Sequence, residues 1–175
     1  MTQSLSKYIR NIPDFPKKGI LFRDVTTLIK NKTAFKKAVD CMARLYKGKK
    51  IDMVVAVEAR GFIFGGALAY KLGVGFVPVR KKGKLPYKTH SVTYDLEYGT
   101  DTLEVHTDAI KKGMRVLIVD DLLATGGTVG AVVQMMNRLG AEIIGILFLI
   151  ELIDLKGKEK LKGYPLHSLI KFKGE

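Results

Sequence analysis

The chain has 175 residues, 47% hydrophobic and 27% charged, ordinary proportions for one domain that buries roughly 70% of its unfolded surface without staples. A single cysteine, Cys41, excludes an intrachain disulfide and a cysteine metal cluster. With no apolar signal core and no run of about 20 apolar residues, a cytoplasmic protein without a membrane span is expected. The net charge of +13 suits polyanionic ligands. Its lysines read as dispersed and carry no RNA-binding signature, so nucleic acid is not expected as a partner.

Residues 1–12 read as a short amphipathic helix with Leu5, Tyr8 and Ile9 on one side, broken by Pro13 and Pro16. Residues 14–24, DFPKKGILFRD, are too rich in Pro and Gly for regular structure, yet they hold large apolar residues and an arginine. A binding loop explains that mixture better than a linker; the bland alternative is a packing role for Phe22 and a structural Arg23–Asp24 ion pair. A helix is predicted over 33–47, capped by Asn31 or Thr33 and stopped by Gly48. Cys41 falls within its apolar pattern and reads as core filler.

A buried strand over 51–57 ends in Glu58-Ala59-Arg60-Gly61, which opens a helix over 62–72. Arg60 beside a helix N-terminus offers an anion site through its own charge and through the helix dipole. A simple Arg60–Glu58 ion pair is the bland alternative. After a strand over 75–79, the stretch RKKGKLP at 80–86 gathers four cations on a turn. Residues 93–98 and 102–106 alternate like a hairpin around Gly99-Thr100-Asp101.

The chemistry concentrates in residues 115–128, RVLIVDDLLATGGT. The run 116–119 reads as a strand buried on both faces. Asp120 and Asp121 follow at the end where open α/β sheets place ligands. Ala124, Thr125, Gly126, Gly127 and Thr128 then lead into a helix over 129–139, a loop able to wrap amides around a phosphate. A Walker A reading fails, because no lysine follows the glycine pair. Two acids beside an anion cradle suit a ligand with a phosphate at one end and hydroxyls nearby, such as ribose 5-phosphate. A strand over 142–150 brings Glu151 and Leu152 to its ligand end. A polar helical piece over 154–162 and an edge strand over 166–172 complete the chain. His90, His106 and His167 lack metal-ligand spacing.

VDDLLATGGT resembles the phosphoribosyl-diphosphate motif of type I phosphoribosyltransferases. The hood segments GILFRD and YDLEYGT, with EARGFIFG and VRKKGKLP, resemble the adenine phosphoribosyltransferases in the family's order. The family often has Pro where this chain has Thr27. The resemblance implies an α/β fold with a type I phosphoribosyltransferase-like core, its mostly parallel central sheet flanked by helices. It implies one domain over 1–175, in which 1–30 contribute a small N-terminal hood, and a flexible hairpin loop.

The implied reaction is purine salvage: adenine and 5-phosphoribosyl 1-diphosphate give AMP and diphosphate, with Mg²⁺ carried by the substrate diphosphate rather than by an identified protein site. Asp120 and Asp121 would hold the ribose hydroxyls, and at least one of them would face the developing cation. Residues 124–128 would anchor the 5′-phosphate, and Ala59, Arg60, Arg80 and Lys84 the diphosphate. The peptide matching Glu58–Ala59 is often cis in the family. Phe22 would stack on adenine, Leu21 and Arg23 would read its edge through their backbones, and Leu152 would line the pocket. Glu97, on the hairpin loop, would manage the purine N7 proton as the catalytic acid/base. Arg80 can reach in from a partner subunit in the family, which implies a homodimer. A transferase for another purine, and a regulator of the same fold that senses phosphoribosyl diphosphate and binds nucleic acid, are the alternatives.

Overall fold

The structure is a computed structural model that describes residues 3–95 and 99–174. In chain order its first elements are α1 (Gln3–Ser6), β1 (Arg10–Pro13), β2 (Leu21–Asp24), α2 (Thr26–Ile29) and α3 (Lys32–Leu45). Next come β3 (Met53–Val57), α4 (Arg60–Leu72), β4 (Gly75–Lys81), β5 (Thr89–Asp95) and β6 (Thr100–His106). The chain closes with β7 (Arg115–Leu123), α5 (Gly127–Arg138), β8 (Glu142–Leu152), two 3₁₀ turns at Ile153–Leu155 and Gly157–Leu161, and β9 (Leu166–Phe172).

Unbroken apolar runs make the central strands, because each must bury both faces. Val54 and Ala56 of β3 and Leu117 and Val119 of β7 face one core cluster, which they share with α3 and α4. Val55, Val57, Val116 and Ile118 face the other, which they share with α5. Helices therefore cover both sides of a seven-stranded sheet of order β5-β6-β4-β3-β7-β8-β9. The β4-β3-β7-β8-β9 portion is parallel, and β6 and β5 add antiparallel at one edge. This is the expected α/β architecture, with β9 at the other edge.

From β3 the chain crosses through α4 to β4 on one side, and from β7 through α5 to β8 on the other. The strand order thus reverses between β3 and β7. A crevice opens there at the carboxyl ends of the strands, where such sheets bind ligands. The N-termini of α4 and α5 both open onto it.

Four local readings need correction. Residues 1–12 are not one helix: a single turn, α1, ends at Ser6, and the chain then enters β1. Leu5 and Ile9 are nonetheless buried. The stretch 14–24 does contain regular structure, since β2 pairs antiparallel with β1 in a separate two-stranded ribbon. The acids do not follow β7 but lie within it, because pairing with β8 continues past them through Leu122↔Ile150 and Leu123↔Glu151. The piece over 154–162 is two 3₁₀ turns separated by Lys156 in a left-handed conformation. Asn31 is the cap of α3, its side chain accepting from Ala34 N at 3.0 Å. Cys41 is buried, as its helical position suggested. Among the described residues, no helix is long and apolar enough to cross a membrane.

Candidate active site

The crevice between β3 and β7 is a cavity of about 370 Å³. Glu58, Ala59 and Arg60 line it from the β3–α4 loop, and Asp120, Asp121 and residues 124–128 from β7 and the start of α5. A larger groove of about 600 Å³ between α3 and α4 is lined chiefly by cations, among them Lys36, Lys37, Arg44, Lys47 and Lys71. It holds neither an acid pair nor a glycine loop, so the smaller cavity is the candidate site.

Two adjacent strand residues should point to opposite faces, but here the backbone is drawn into the acid pair itself. Asp121 N donates to Asp120 Oδ1 at 2.8 Å. Arg60, the first residue of α4, lies on the other acid, with Nε 2.7 Å from Asp121 Oδ2. Gly61 lets the helix come this close: a Cβ there would stand 2.7 Å from Asp120 Oδ1. Burial, and then the charge of Asp121, push the Asp120 carboxyl well above the usual carboxylate range. Burial also raises Asp121, opposed chiefly by Arg60. The pair therefore consists of two buried carboxyls whose ionised forms would gain from a cation beside them.

The bland alternative, an Arg60–Glu58 ion pair, does not hold, since Arg60 lies on Asp121. Glu58 instead accepts from Arg80 Nε at 2.9 Å and from the Lys81 amide at 2.9 Å, and lies 3.1 Å from Lys84 Nζ. Topology decides this, because the parallel register Val57↔Val79 carries the end of β4, Arg80 and Lys81, and Lys84 just beyond it, alongside Glu58. Burial raises the Glu58 carboxyl, but the Lys81 amide and then Lys84 and Arg80 outweigh it and leave the group below its ordinary value. Arg80 and Lys84 thus sit beside the cavity, gathered on one carboxylate. The Glu58–Ala59 peptide is cis.

The ribbon reaches the same site from above. The Phe22 ring lies 5.5 Å from the Arg60 guanidinium and packs edge-on against Phe15 at 5.1 Å. Arg23 turns the other way: it donates to Asn11 Oδ1 at 2.7 Å and lies 4.0 Å over the Phe172 ring. Phe172 is the cross-strand partner of Leu152, so the end of β8 and the ribbon share one neighbourhood. Phe22, Leu21, Arg23 and Leu152 do not line the 370 Å³ cavity itself.

Asp24 is held by Arg10 at 3.0 Å and by the Thr26 amide at 2.9 Å. Hydrogen bonding by Thr26 leads the causes that lower its carboxyl to about 2 against the cost of burial. Thr27 Oγ1 donates to Tyr8 O at 2.6 Å, a tie between α2 and the start of the ribbon that proline could not make.

Sequence reasoning missed three polar lining residues. Tyr94 packs on Gly127, and its hydroxyl accepts from Thr128 Oγ1 at 3.4 Å. Lys81 and Asp101 pair at 2.9 Å on the cavity wall. The alternation of the hairpin was the available signal, since Tyr94 and Asp101 are cross-strand partners. Glu97 lies outside the described residues. Among the described residues no group of three or more His, Cys, Asp or Glu could hold a metal ion.

A family model described as "Phosphoribosyl transferase domain" matches residues 24–170. An adenine phosphoribosyltransferase of Brachyspira hyodysenteriae is 61% identical over 168 residues, which cover 96% of this chain and 99% of that protein. The crystal structure of adenine phosphoribosyltransferase from Thermoanaerobacter pseudethanolicus superposes with a TM-score of 0.95 at 54% identity, covering 98% of this chain and 100% of the other. The Saccharomyces cerevisiae enzyme, in complex with an imino-altritol bisphosphate and adenine, gives a TM-score of 0.91 at 42% identity, covering 96% and 97%.

Proposed function

The chain belongs to the phosphoribosyl transferase family and, within it, to the adenine phosphoribosyltransferases; on that premise we propose how its residues make AMP and diphosphate from adenine and 5-phosphoribosyl 1-diphosphate. The observation that carries the reading is the convergence of the Asp120–Asp121 pair, Arg60 and the glycine loop on one cavity at the strand-order reversal.

In this reaction the bond from C1′ to the diphosphate oxygen breaks, an oxocarbenium-like centre develops, and purine N9 attacks. The raised proton affinity of Asp120 and Asp121 supports their role. Burial makes their ionised forms costly, and that cost is relieved most when positive charge appears on the sugar, so they favour the transition state over the ground state. Their oxygens also suit the ribose hydroxyls as acceptors. Residues 124–128 anchor the 5′-phosphate through amides at the N-terminus of α5 and through the Thr125 and Thr128 hydroxyls, which gives orientation through remote binding. Ala59 and Arg60 take the diphosphate. Arg80 and Lys84, gathered on Glu58, add cationic field, and in a homodimer Arg80 of one subunit also serves its partner's site.

The donor set fits Mg²⁺ held chiefly by substrate oxygens and water, because Asp120 and Asp121 offer carboxylates without a third protein ligand nearby among the described residues. The ion supplies charge neutralisation of the leaving diphosphate when bound. The base enters beneath the ribbon. Phe22 stacks on adenine, the Leu21 and Arg23 backbones read its edge, Leu152 lines the far side, and Glu97 exchanges the N7 proton. We read residues 1–175 as one domain with 1–30 as its hood, and we place the protein in the cytoplasm, where adenine salvage would supply AMP.

The test is turnover of adenine with Mg²⁺ and 5-phosphoribosyl 1-diphosphate, with diphosphate release and AMP mass measured together. Stoichiometric AMP and diphosphate are expected. No turnover with adenine, hypoxanthine, guanine or xanthine, together with salt-sensitive RNA binding, would overturn the enzyme reading in favour of a regulator.

A further inference from the structure

Residues 153–162 carry no recognisable motif and are mostly polar, and within them only Gly157 and Leu161 are buried. Leu161 is anchored in the core cluster of α5. Lys156, at φ 51°, reverses the chain between the two 3₁₀ turns. The reversal presses Gly157 against the glycine loop, backbone to backbone. A Cβ on Gly157 would stand 2.1 Å from Ala124 O and 2.9 Å from Gly126 N. A Cβ on Gly126 would stand 2.5 Å from Gly157 O. Neither contact could be relieved by turning a flexible side chain, because the opposing atoms are main chain. Gly126 also has φ 79°, a conformation that favours glycine.

The contact sets a direction. The Ala124 carbonyl faces Gly157, and the Ala124–Thr125 peptide is not among the cis bonds of the chain. In a trans peptide the N–H points opposite to the C=O, so the Thr125 amide faces away from Gly157. We propose that Gly157 is a positioning residue for phosphate recognition. Its missing side chain makes the second 3₁₀ turn a back wall that fixes the peptide planes of residues 124–126, and with them the direction of the amides offered to the 5′-phosphate. The inference rests on reading residues 124–128 as the phosphate cradle.

The signature is a separation of kinetic constants. The 5′-phosphate is remote from the bond that breaks, and the part of its binding that holds ground and transition states alike is lost in KM for this one substrate. Gly157→Ala should raise KM for 5-phosphoribosyl 1-diphosphate at least about tenfold, since misplacement by about 1 Å of a positioned group is costly. KM for adenine should stay within about twofold, because remote phosphate contacts are separate from the base pocket. Lys156→Gly, which keeps the left-handed turn and adds nothing at the loop, should leave both constants unchanged. A purely structural glycine would give a lower Tm and a smaller active fraction with an unchanged KM, and that result would overturn the proposal.

Should Gly157→Ala fail to fold, hydrogen exchange of the wild-type protein with and without AMP decides. Slower exchange of the amides at 157–158 on AMP binding is expected, whereas unchanged exchange there overturns the proposal. Failure of the wild-type protein to bind AMP at all would instead overturn the cradle on which it rests.

Discussion

Replacing Asp120 with asparagine should make the empty protein more stable while nearly abolishing its chemistry. Asp120 lies against Asp121, accepts the Asp121 amide at 2.8 Å, and has its carboxyl pushed well up by burial and by its neighbour. An unfolded aspartate titrates near 3.9. Because the folded-state value is the higher, the native state binds more protons between the two values. Stability therefore falls as pH rises through that window and stays reduced above it. Each tenfold change in proton affinity corresponds to about 1.4 kcal/mol. Asparagine keeps the Oδ1 acceptor for Asp121 N, removes the buried charge and relieves Asp121.

A gain of about 1–2 kcal/mol is the scale seen when functional groups are removed from strained sites. For a chain of this size that is a rise in Tm of roughly 2–8 °C. Thermal melts of wild-type and Asp120→Asn protein, ligand-free at pH 7.5 and again near pH 4, read the effect. The variant should melt higher at pH 7.5, and the gap should narrow in acid, as the raised Asp120 carboxyl takes up its proton. Its kcat should fall about 10²–10³-fold, as when one electrostatic stabiliser is lost. An equal or lower Tm at pH 7.5, or a gap that ignores pH, would refute the reasoning.

Three further outcomes follow from the geometry. Glu58→Gln should destabilise the fold by about 1–3 kcal/mol near neutral pH, the cost of breaking buried charged hydrogen bonds, as read by urea denaturation. The Glu58 carboxyl lies below its ordinary value, so its contribution is present above the unfolded pKa and is lost as pH falls through the folded one; the difference from wild type should therefore shrink in acid. Phe22→Ala should raise KM for adenine about 5–100-fold, matching the roughly 1–3 kcal/mol of stacking on one aromatic ring, with KM for 5-phosphoribosyl 1-diphosphate little changed. Glu97→Gln should lower kcat far more than it weakens 5-phosphoribosyl 1-diphosphate binding in calorimetry, and an unchanged kcat would make Glu97 a bystander.

The parallel centre of the sheet was legible because its strands are apolar on both faces, and a run such as Met53–Val57 admits few other uses. The ligand end was legible because acids and glycines interrupt those runs at the crossovers. What could not be read was set by contacts distant in sequence. The β1–β2 ribbon depends on pairing between two segments that each look like loop, and β7 runs through its two aspartates because β8 supplies the partner. Glu58 takes Arg80 and Lys84 in place of the nearer Arg60 because parallel β3–β4 pairing brings them alongside. Gly157 gave no signal, since its role lies in what it does not place against Gly126.

The most direct test of the base assignment is the ratio of kcat/KM for adenine to that for hypoxanthine, measured on the wild-type enzyme with saturating Mg²⁺ and 5-phosphoribosyl 1-diphosphate. A site whose backbone groups read the amino edge of the base should discriminate by about 10³-fold or more, because the oxo base leaves those groups unpaired. A ratio near one, or one that favours hypoxanthine, would contradict it.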